Sequence, residues 1–238
     1  MTLDVSECST VREALEIAKS ELLSDGVRDL VYGYMLGPHH FVRNDMVFAS
    51  TLSDELMESY ARYGGLNADP IAENASTLTQ CMIINLEEIY NDKSGGKYYH
   101  HPFIGKLIYQ GYEYSLSFTL NNVEPVGFAA MTVYPQSNCV PEDLNLDKFQ
   151  NAANTLHKTL KDSGLMGRSF NLKNKEISCL KSMSAGKTAF DIATQNSVTV
   201  RTVELRLANA RKKLNAKTTT EAVYKAVSYG ILGRNFTL

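Results

Sequence analysis

The spacing of hydrophobic positions changes several times along the chain. A helix is predicted after the capping box Thr10-x-x-Glu13, because apolar residues then recur every three or four positions until Gly26. The segments 29–36 and 46–52 are rich in β-branched and aromatic residues without helical spacing, which predicts strands. The chain is therefore expected to begin with one helix and two strands.

The next part of the chain predicts a second helix and then a hairpin. Ser53, followed by two acidic residues, is typical of a helix N-terminus, and this helix should run to about Gly64. Residues 114–120 and 126–133 read as strands on either side of the turn-rich sequence NNVEP. In the first of these strands small polar residues alternate with large apolar ones, so one face is core and the other can border a cavity.

A long amphipathic helix is predicted from Pro141 to Gly164, and the segment 164–171 is predicted to be a linker. The alternation of strands and helices lacks the Gly-rich turns of a nucleotide-binding fold. The predicted fold class is therefore α+β, with two domains. Residues 1–163 should form an α/β/α sandwich with an antiparallel sheet, and residues 172–238 an all-α domain of four helices.

The four helices of the second domain include a candidate helix-turn-helix. They are predicted at residues 172–183, 188–195, 200–214 and 219–230. Only the four residues NSVT separate the second helix from the third, which is basic, and this is the helix-turn-helix arrangement. The residues predicted to contact phosphates or base edges are Arg201, Thr202, Arg206, Arg211, Lys212 and Lys213.

The distribution of charge agrees with a DNA-binding second domain. From Leu172 onward the chain has twelve basic and four acidic residues, a net charge of +8. Because the whole chain carries −2, the preceding residues carry −10. This asymmetry favours a nucleic-acid-binding module joined to a body with another role, and a solvated basic face without a ligand is the alternative.

Composition mainly excludes other classes. The chain has 238 residues, and no apolar run approaches the roughly 18 residues needed to cross a bilayer. No secretion signal is recognised at the start, so a cytoplasmic protein without a membrane partner is expected. The four cysteines are far apart, and the pairs His39-His40 and His100-His101 have no acid or cysteine at ligand spacing. Reduced thiols and no metal are expected.

A specific set of residues marks the second domain. It comprises Leu172, Glu176, Leu180, Gly186, Ile192-Ala193, Thr202-Val203, Leu214, Glu221-Ala222 and the terminal AVSYGIL. With these residues the segment resembles the DNA-binding domain of LuxR-type regulators. The resemblance implies a transcriptional regulator that binds double-stranded DNA as a homodimer, and RNA polymerase is a candidate partner. The helix Leu144–Leu160 and the last helix are the predicted dimer interfaces.

The resemblance has three departures in the helix-turn-helix. Phe190 and Glu204 stand where the family often has basic or polar residues, and Arg206 where many members have His. A Glu that faces DNA can accept a hydrogen bond from cytosine N4, so the operator is expected to differ from the better-known ones.

The first domain carries a second resemblance. The order Tyr60 … Asp69-Pro70, followed by the hairpin with Gly127-Phe128, resembles the acyl-homoserine lactone-binding domain of quorum-sensing LuxR-type proteins. In that family the Asp accepts a hydrogen bond from the signal's amide N–H, the Tyr contacts an acyl carbonyl, and two Trp close the pocket. This chain has no Trp. By spacing, Leu56 and Ile84 take the two Trp positions and Ser115 that of a strand Gly. The predicted ligand-binding residues are Tyr60, Asp69, Leu56, Ile84 and Ser115.

The loss of a donor at Leu56 leaves two interpretations open. A leucine cannot make the hydrogen bond to the lactone carbonyl, which is typically worth about 0.5–1.5 kcal/mol. Either Leu56 and Ile84 line a pocket for another acyl or non-lactone ligand anchored by Asp69 and Tyr60, or side chains fill the pocket and the protein acts on DNA without a ligand. For Asp69, a cap of the turn at Pro70 is a further alternative, and for Tyr60 a plain core role.

The predicted function is that of a DNA-binding regulator controlled by an acyl-homoserine lactone or a related small molecule. No cofactor is expected. The segment DLVYGYML ends without an acidic pair, which disfavours a phosphorelay receiver domain. No catalytic constellation and no complete P-loop is recognised, so a response regulator or an enzyme is a distant alternative.

Overall fold

The structure is a computed structural model that describes residues 3–36, 46–69, 81–120 and 127–232. Contacts divide these residues into two compact units. The first unit comprises mainly the described residues between 12 and 158, and the second comprises residues 5–11 and 159–232. The pair His39-His40, Pro70 and the predicted turn NNVEP lie outside the described residues. Within the described residues, no helix is long and apolar enough to cross a membrane.

The first unit contains an antiparallel sheet, as the sequence predicts. Its strands are β1 (Val27–Leu36), β2 (Met46–Ser50), β3 (Met82–Asn85), β4 (Tyr114–Thr119) and β5 (Gly127–Pro135). The strand order is β2-β1-β5-β4-β3, and all four neighbouring pairs are antiparallel. The predicted pairing of the last two strands is confirmed, with Leu116 opposite Val133. Both faces of β4 are buried, and Ser117 and Thr132 satisfy each other by a hydrogen bond of 2.9 Å between their hydroxyls.

Five α-helices lie in the described part of the chain between residues 11 and 162, and side chains cap some of them. They are α1 (Val11–Leu22), α2 (Asp54–Arg62), α3 (Leu86–Asn91), α4 (Pro102–Tyr109) and α5 (Leu146–Asp162). Ser53 caps α2 as predicted, since its hydroxyl accepts from the Leu56 N–H. The prediction that the long helix begins at Pro141 is wrong. Pro141 opens a separate 3-10 turn, and α5 begins later because the Asn145 side chain accepts from the Lys148 N–H.

Helices cover both faces of the sheet, which confirms the α/β/α sandwich. On one face α5 packs Phe149 against Phe118 of β4 and His157 against Tyr32 and Tyr34 of β1. The buried His157 ring is fixed by a 2.7 Å hydrogen bond to the Tyr32 hydroxyl. On the other face, residues of α2, α3 and α4 form a core cluster with Leu52, which precedes α2, and with Tyr134 of β5. Its helical members include Leu56, Leu86, Phe103 and Leu107.

The second unit contains five further helices among its described residues. They are α6 (Leu165–Arg168), α7 (Asn174–Ser184), α8 (Ala189–Gln195), α9 (Val200–Lys213) and α10 (Thr219–Ser228). The four helices predicted for this part of the chain are therefore confirmed as α7 to α10. The segment 164–171, predicted as a linker, contains the short helix α6, whose Leu165 and Met166 are buried. Where one domain ends and the next begins stays a prediction.

Candidate functional site

A tight turn after α2 brings Asp69 back to Tyr60. Gly64 and Gly65 both have positive φ angles, of 111° and 53°, which favour glycine. A side chain at Gly64 would meet the Cβ of Ala68 at 2.8 Å, so the turn closes only with glycine there. As a result, the Tyr60 hydroxyl donates a hydrogen bond of 2.7 Å to Asp69 Oδ2.

The Tyr60 ring is held in place by two aromatic neighbours. It stacks on Phe48 with ring centroids 5.9 Å apart and meets Phe103 edge-on at 5.1 Å. Burial strongly raises the pKa of the Tyr60 phenol, and the Asp69 carboxylate raises it further. Burial, and then the same carboxylate, also raise the pKa of Tyr134. Both phenols therefore keep their protons and remain hydrogen-bond donors.

Tyr60 and Asp69 line a cavity in the first unit. Its polar lining comprises Tyr60, Asp69, His101, Ser115 and Tyr134, and its apolar lining includes Ile84, Leu86, Phe103, Ile104 and Leu107. The volume open to the centre of a water-sized molecule is about 30 Å³. Since a single water needs about 10–15 Å³ on this measure, the cavity in this conformation accommodates only one or a few such molecules.

Four of the five predicted ligand-binding residues lie together at this cavity. Tyr60, Asp69, Ile84 and Ser115 all line it, and Ile84 and Ser115 are direct partners in the pairing of β3 with β4. Leu56 is not among the lining residues of this cavity. It is fully buried in the core cluster against which Tyr60 and Ile84 pack.

Three residues of the cavity wall, Phe103, Tyr134 and His101, were not predicted from the sequence as ligand-binding residues. Phe103 follows the start of α4, Tyr134 lies near the end of β5, and His101 occupies the N-cap position of α4. His101 Nε2 lies 3.0 Å from the Tyr63 carbonyl oxygen, whereas its Nδ1 is buried and has no hydrogen-bond partner among the described residues. The pair His100-His101 was visible in the sequence, but no local signal connects it with residues 32 to 41 positions upstream.

The second unit builds a helix pair joined by a four-residue turn. Thr188 caps α8 through reciprocal hydrogen bonds with Asp191, and Thr199 caps α9 by accepting from the Thr202 N–H at 3.1 Å. Between the two helices the Val198 N–H donates to the Ala193 carbonyl at 3.0 Å. The turn therefore fixes the direction in which α9 leaves α8.

The two faces of α9 differ sharply. Val203, Leu207 and Ala210 are buried, whereas Arg201, Glu204, Leu205 and Lys212 are exposed. The side chains of Arg206 and Arg211 are partly exposed, so four of the predicted basic residues reach the surface. Thr202 lies near the helix start, where its hydroxyl is 2.8 Å from that of Thr199. The exposed Leu205 was not singled out from the sequence.

Lys213 differs from the other basic residues of α9. Its Nζ donates to Glu176 Oε2 at 2.8 Å, and the Glu176 side chain is only 5% exposed. Burial tends to raise the pKa of Glu176, but hydrogen bonds from Lys213 and from the Lys173 N–H lower it overall. Lys213 therefore joins α9 to α7. Its predicted contact with DNA stays a prediction.

Lys225 of α10 was also missed, and it closes the end of α9. Lys225 is only 7% exposed, and its Nζ donates hydrogen bonds of 3.2 Å and 2.9 Å to the carbonyl oxygens of Leu214 and Asn215. These carbonyls lack partners within their own helix, so a buried ammonium group stabilises them. The second unit thus presents a capped, basic second helix on a helix-turn-helix scaffold.

The arrangement of α8 and α9 is that of a helix-turn-helix DNA-binding domain. Residues 171–226 match the family model described as bacterial regulatory proteins, luxR family. Residues 171–226 therefore match a LuxR-family DNA-binding domain. Comparison with curated protein sequences gives no match.

Two solved structures, both of SdiA, share the fold of the chain. SdiA in complex with octanoyl-rac-glycerol is 18% identical with a TM-score of 0.54, over 95% of this chain and 91% of that one. Escherichia coli SdiA in another crystal form is 17% identical with a TM-score of 0.50, over 92% of each chain. The N-acylhomoserine lactone-dependent LuxR-family factor CepR2 of Burkholderia cenocepacia is 16% identical, with a TM-score of 0.48, over 69% of this chain and 90% of that one.

Proposed function

We propose that the protein is a transcriptional regulator of the quorum-sensing LuxR type, whose first unit binds a small molecule and whose second unit binds an operator. The observation that carries the DNA-binding part is the outer face of α9. Arg201 is exposed at the start of a helix that follows a capped four-residue turn, and Lys212 is exposed near its end. Such residues can contact base edges and phosphates when the helix lies in the major groove.

A selection from random DNA duplexes tests this part. The full chain should enrich sites with two related half-sites, and Arg201→Ala should weaken and broaden the selection. Arg12→Ala, which changes an exposed arginine of the first unit, should leave the selected sequence unchanged. Absence of any enriched sequence with the unaltered chain would exclude sequence-specific DNA binding.

Two half-sites require two copies of the chain, and we include a homodimer in the proposal. The support is the last helix, where Tyr224 is 45% and Val227 48% exposed although both are apolar. An exposed apolar pair on one helix is suited to contact with a second copy. Sedimentation should show a dimer for the full chain and a shift toward monomer for Val227→Lys. A monomer with full operator affinity would exclude this part.

The ligand part of the proposal is supported by the cavity of the first unit. A desolvated tyrosine and a carboxylate lie among apolar side chains, which is the composition of a small-molecule site. SdiA, which has the same fold, has been crystallised with octanoyl-rac-glycerol, and we propose a ligand of comparable size with an acyl chain. Because the cavity is small, such a ligand has to displace apolar side chains. Binding would then favour one conformation over another, as a sensor requires.

Native mass spectrometry of the full chain tests the ligand part. The protein is expressed once with a panel of acyl-homoserine lactones and once without it. A bound small molecule should be detected in at least one of these preparations, and Asp69→Ala should lack it. Asp54→Ala is a matched control, because Asp54 pairs with Arg12 on the surface away from the cavity lining. A copurified lactone would identify the usual signal, and another molecule would identify a different one.

A second candidate function is a regulator that acts on DNA without a ligand. The observation in its favour is the 2.7 Å hydrogen bond between Tyr60 and Asp69, which partners the two polar anchors with each other. A protein that is empty under all expression conditions and binds its operator with undiminished affinity would establish this candidate instead.

A further inference from the structure

A leucine stands in the middle of the outer face of α9. Leu205 is 62% exposed and lies four positions after Arg201, one helical turn further along the same side. The same stripe continues through Ala208 to Lys212. The buried side of the helix, which includes Val203, faces the opposite way. The packing of the second unit therefore makes little use of the Leu205 side chain.

The surroundings of Leu205 are those of a surface that faces DNA. Arg201 and Lys212 are exposed at the two ends of the stripe, and the segment from Leu172 onward carries a net charge of +8. A single exposed leucine is ordinary on a protein surface. This one, however, lies between two cations on the second helix of a helix-turn-helix, the helix that enters the major groove. Its place on the helix predicts contact with base edges.

The chemistry of the side chain restricts which base it can contact. Leu205 has neither a donor nor an acceptor, so it makes no hydrogen bond to a phosphate oxygen or to a polar base atom. In the major groove, the polar base atoms that it could cover would lose their hydrogen bonds to water without replacement. Thymine alone presents an apolar group there, its C5-methyl. A thymine is therefore the base against which Leu205 fits.

We propose that Leu205 determines specificity by packing on the C5-methyl group of a thymine in each half-site of the operator. The occupant of this surface is thus double-stranded DNA with a T·A pair opposite the middle of α9. The inference rests on the proposed DNA-binding function and adds an apolar contact to the polar ones described above. It is separate from the hydrogen bond to cytosine expected from Glu204, which is also exposed.

The test removes the methyl group and keeps the base pair. Deoxyuridine pairs with adenine as thymidine does but lacks the C5-methyl. An operator is first selected from random duplexes with the full chain, and each thymine of its half-sites is then replaced by deoxyuridine, one symmetric position at a time. Burial of one methyl group corresponds to about fourfold in affinity, so loss in both half-sites should weaken binding of the unaltered chain about 15-fold at one position.

Three variants assign the effect of the methyl group. Leu205→Ala should bind the thymine and deoxyuridine operators with an affinity ratio of about one, because the contact is gone. Leu205→Met keeps a long apolar side chain and should keep most of the preference. Leu23→Ala is the matched control, because Leu23 is a 54% exposed leucine of the first unit, and it should keep the full preference. Circular dichroism shows whether each variant is folded, and alanine and methionine both favour helices.

An operator without thymine in its half-sites would overturn the inference, and so would binding that no deoxyuridine position weakens. A preference for thymine that survives in folded Leu205→Ala would assign the methyl effect to another residue or to the shape of the DNA, and would overturn it as well. If Leu205→Ala changes the sedimentation of the chain but not this preference, Leu205 contacts protein rather than DNA, with the same consequence. Failure to select any operator would overturn the DNA-binding proposal itself, which is a different result from selection without a methyl effect.

Discussion

Lys212 and Lys213 are adjacent in the sequence, but the structure predicts that only the replacement of Lys213 lowers the stability of the second unit. Lys212 is exposed, whereas Lys213 pairs at 2.8 Å with a Glu176 side chain that is 5% exposed. Lys213→Ala leaves the Glu176 charge with one fewer donor in a buried place. Lys212→Ala removes a solvated charge only. We therefore expect the first change to destabilise the second unit and the second to leave its stability nearly unchanged.

The magnitude follows from the surroundings of the pair. Removing one partner of a fully buried ion pair costs about 3–5 kcal/mol. The cost here should be smaller, because the Lys213 side chain is 27% exposed and Glu176 keeps the hydrogen bond from the Lys173 N–H at 2.7 Å. About 2 kcal/mol is expected, which for a domain of this size lowers the melting temperature by about 10 °C. Lys212→Ala should stay within about 0.5 kcal/mol.

Thermal unfolding followed by circular dichroism measures this difference, and hydrogen exchange of α7 and α9 assigns it to the second unit. The double variant Glu176→Leu with Lys213→Met should recover part of the loss, because both charges are replaced together. Equal stability of Lys212→Ala and Lys213→Ala would refute the structural role of Lys213.

The same pair predicts a dependence on acid. The folded state holds the pKa of Glu176 below its ordinary value of 4.5, so it binds fewer protons than the unfolded state in this range. The contribution of the pair is therefore complete above about pH 4.5 and lost as the pH falls through the lowered value. Glu176→Gln should flatten this part of the stability profile, and an unchanged acid profile would contradict the assignment.

Three further changes test other parts of the structure. Gly230→Ala should lower the free energy of unfolding by about 3 kcal/mol or more, because its Cβ would overlap the backbone carbonyl of Lys161. Gly186→Ala should cost only about 1 kcal/mol, because Gly186 has φ +80° but open space around it. Equal shifts of the melting temperature for the two variants would contradict this prediction. Lys212→Ala should lower the salt slope of operator binding by about 1 in a filter-binding titration, and an unchanged slope would exclude a phosphate contact. Tyr60→Phe should lower the free energy of unfolding by about 1 kcal/mol in chemical denaturation, because the Asp69 carboxylate loses a donor. Tyr109 is 91% exposed, so Tyr109→Phe should leave the free energy of unfolding unchanged. The reverse order would refute the buried hydrogen bond.

Local signals in the sequence predicted the elements well. Ser53, Thr188 and the four-residue turn before α9 each act within a few residues, and each has its predicted place in the structure. Pro141 shows the limit of such signals. A proline can open either an α-helix or a 3-10 turn, and here Asn145 supplies the actual cap of α5.

The candidate site depends on contacts between residues that are far apart in the sequence. These contacts could not be predicted from local sequence patterns. Lys213 and Glu176 are 37 positions apart, so their pairing is set by the packing of α7 on α9. His101 reaches the cavity only because α4 packs against α2. The pair Tyr60 and Asp69 was found because it is close in sequence and resembles a known pattern.

The central claim is that ligand binding in the first unit changes operator binding by the second, and it is tested by one titration. The operator affinity of the full chain is measured with and without the copurified molecule, alongside Asp69→Ala. The account predicts a difference of at least about fivefold between the two states, which corresponds to a coupling of about 1 kcal/mol, and no difference for Asp69→Ala. The same affinity in both states of the unaltered chain would contradict it.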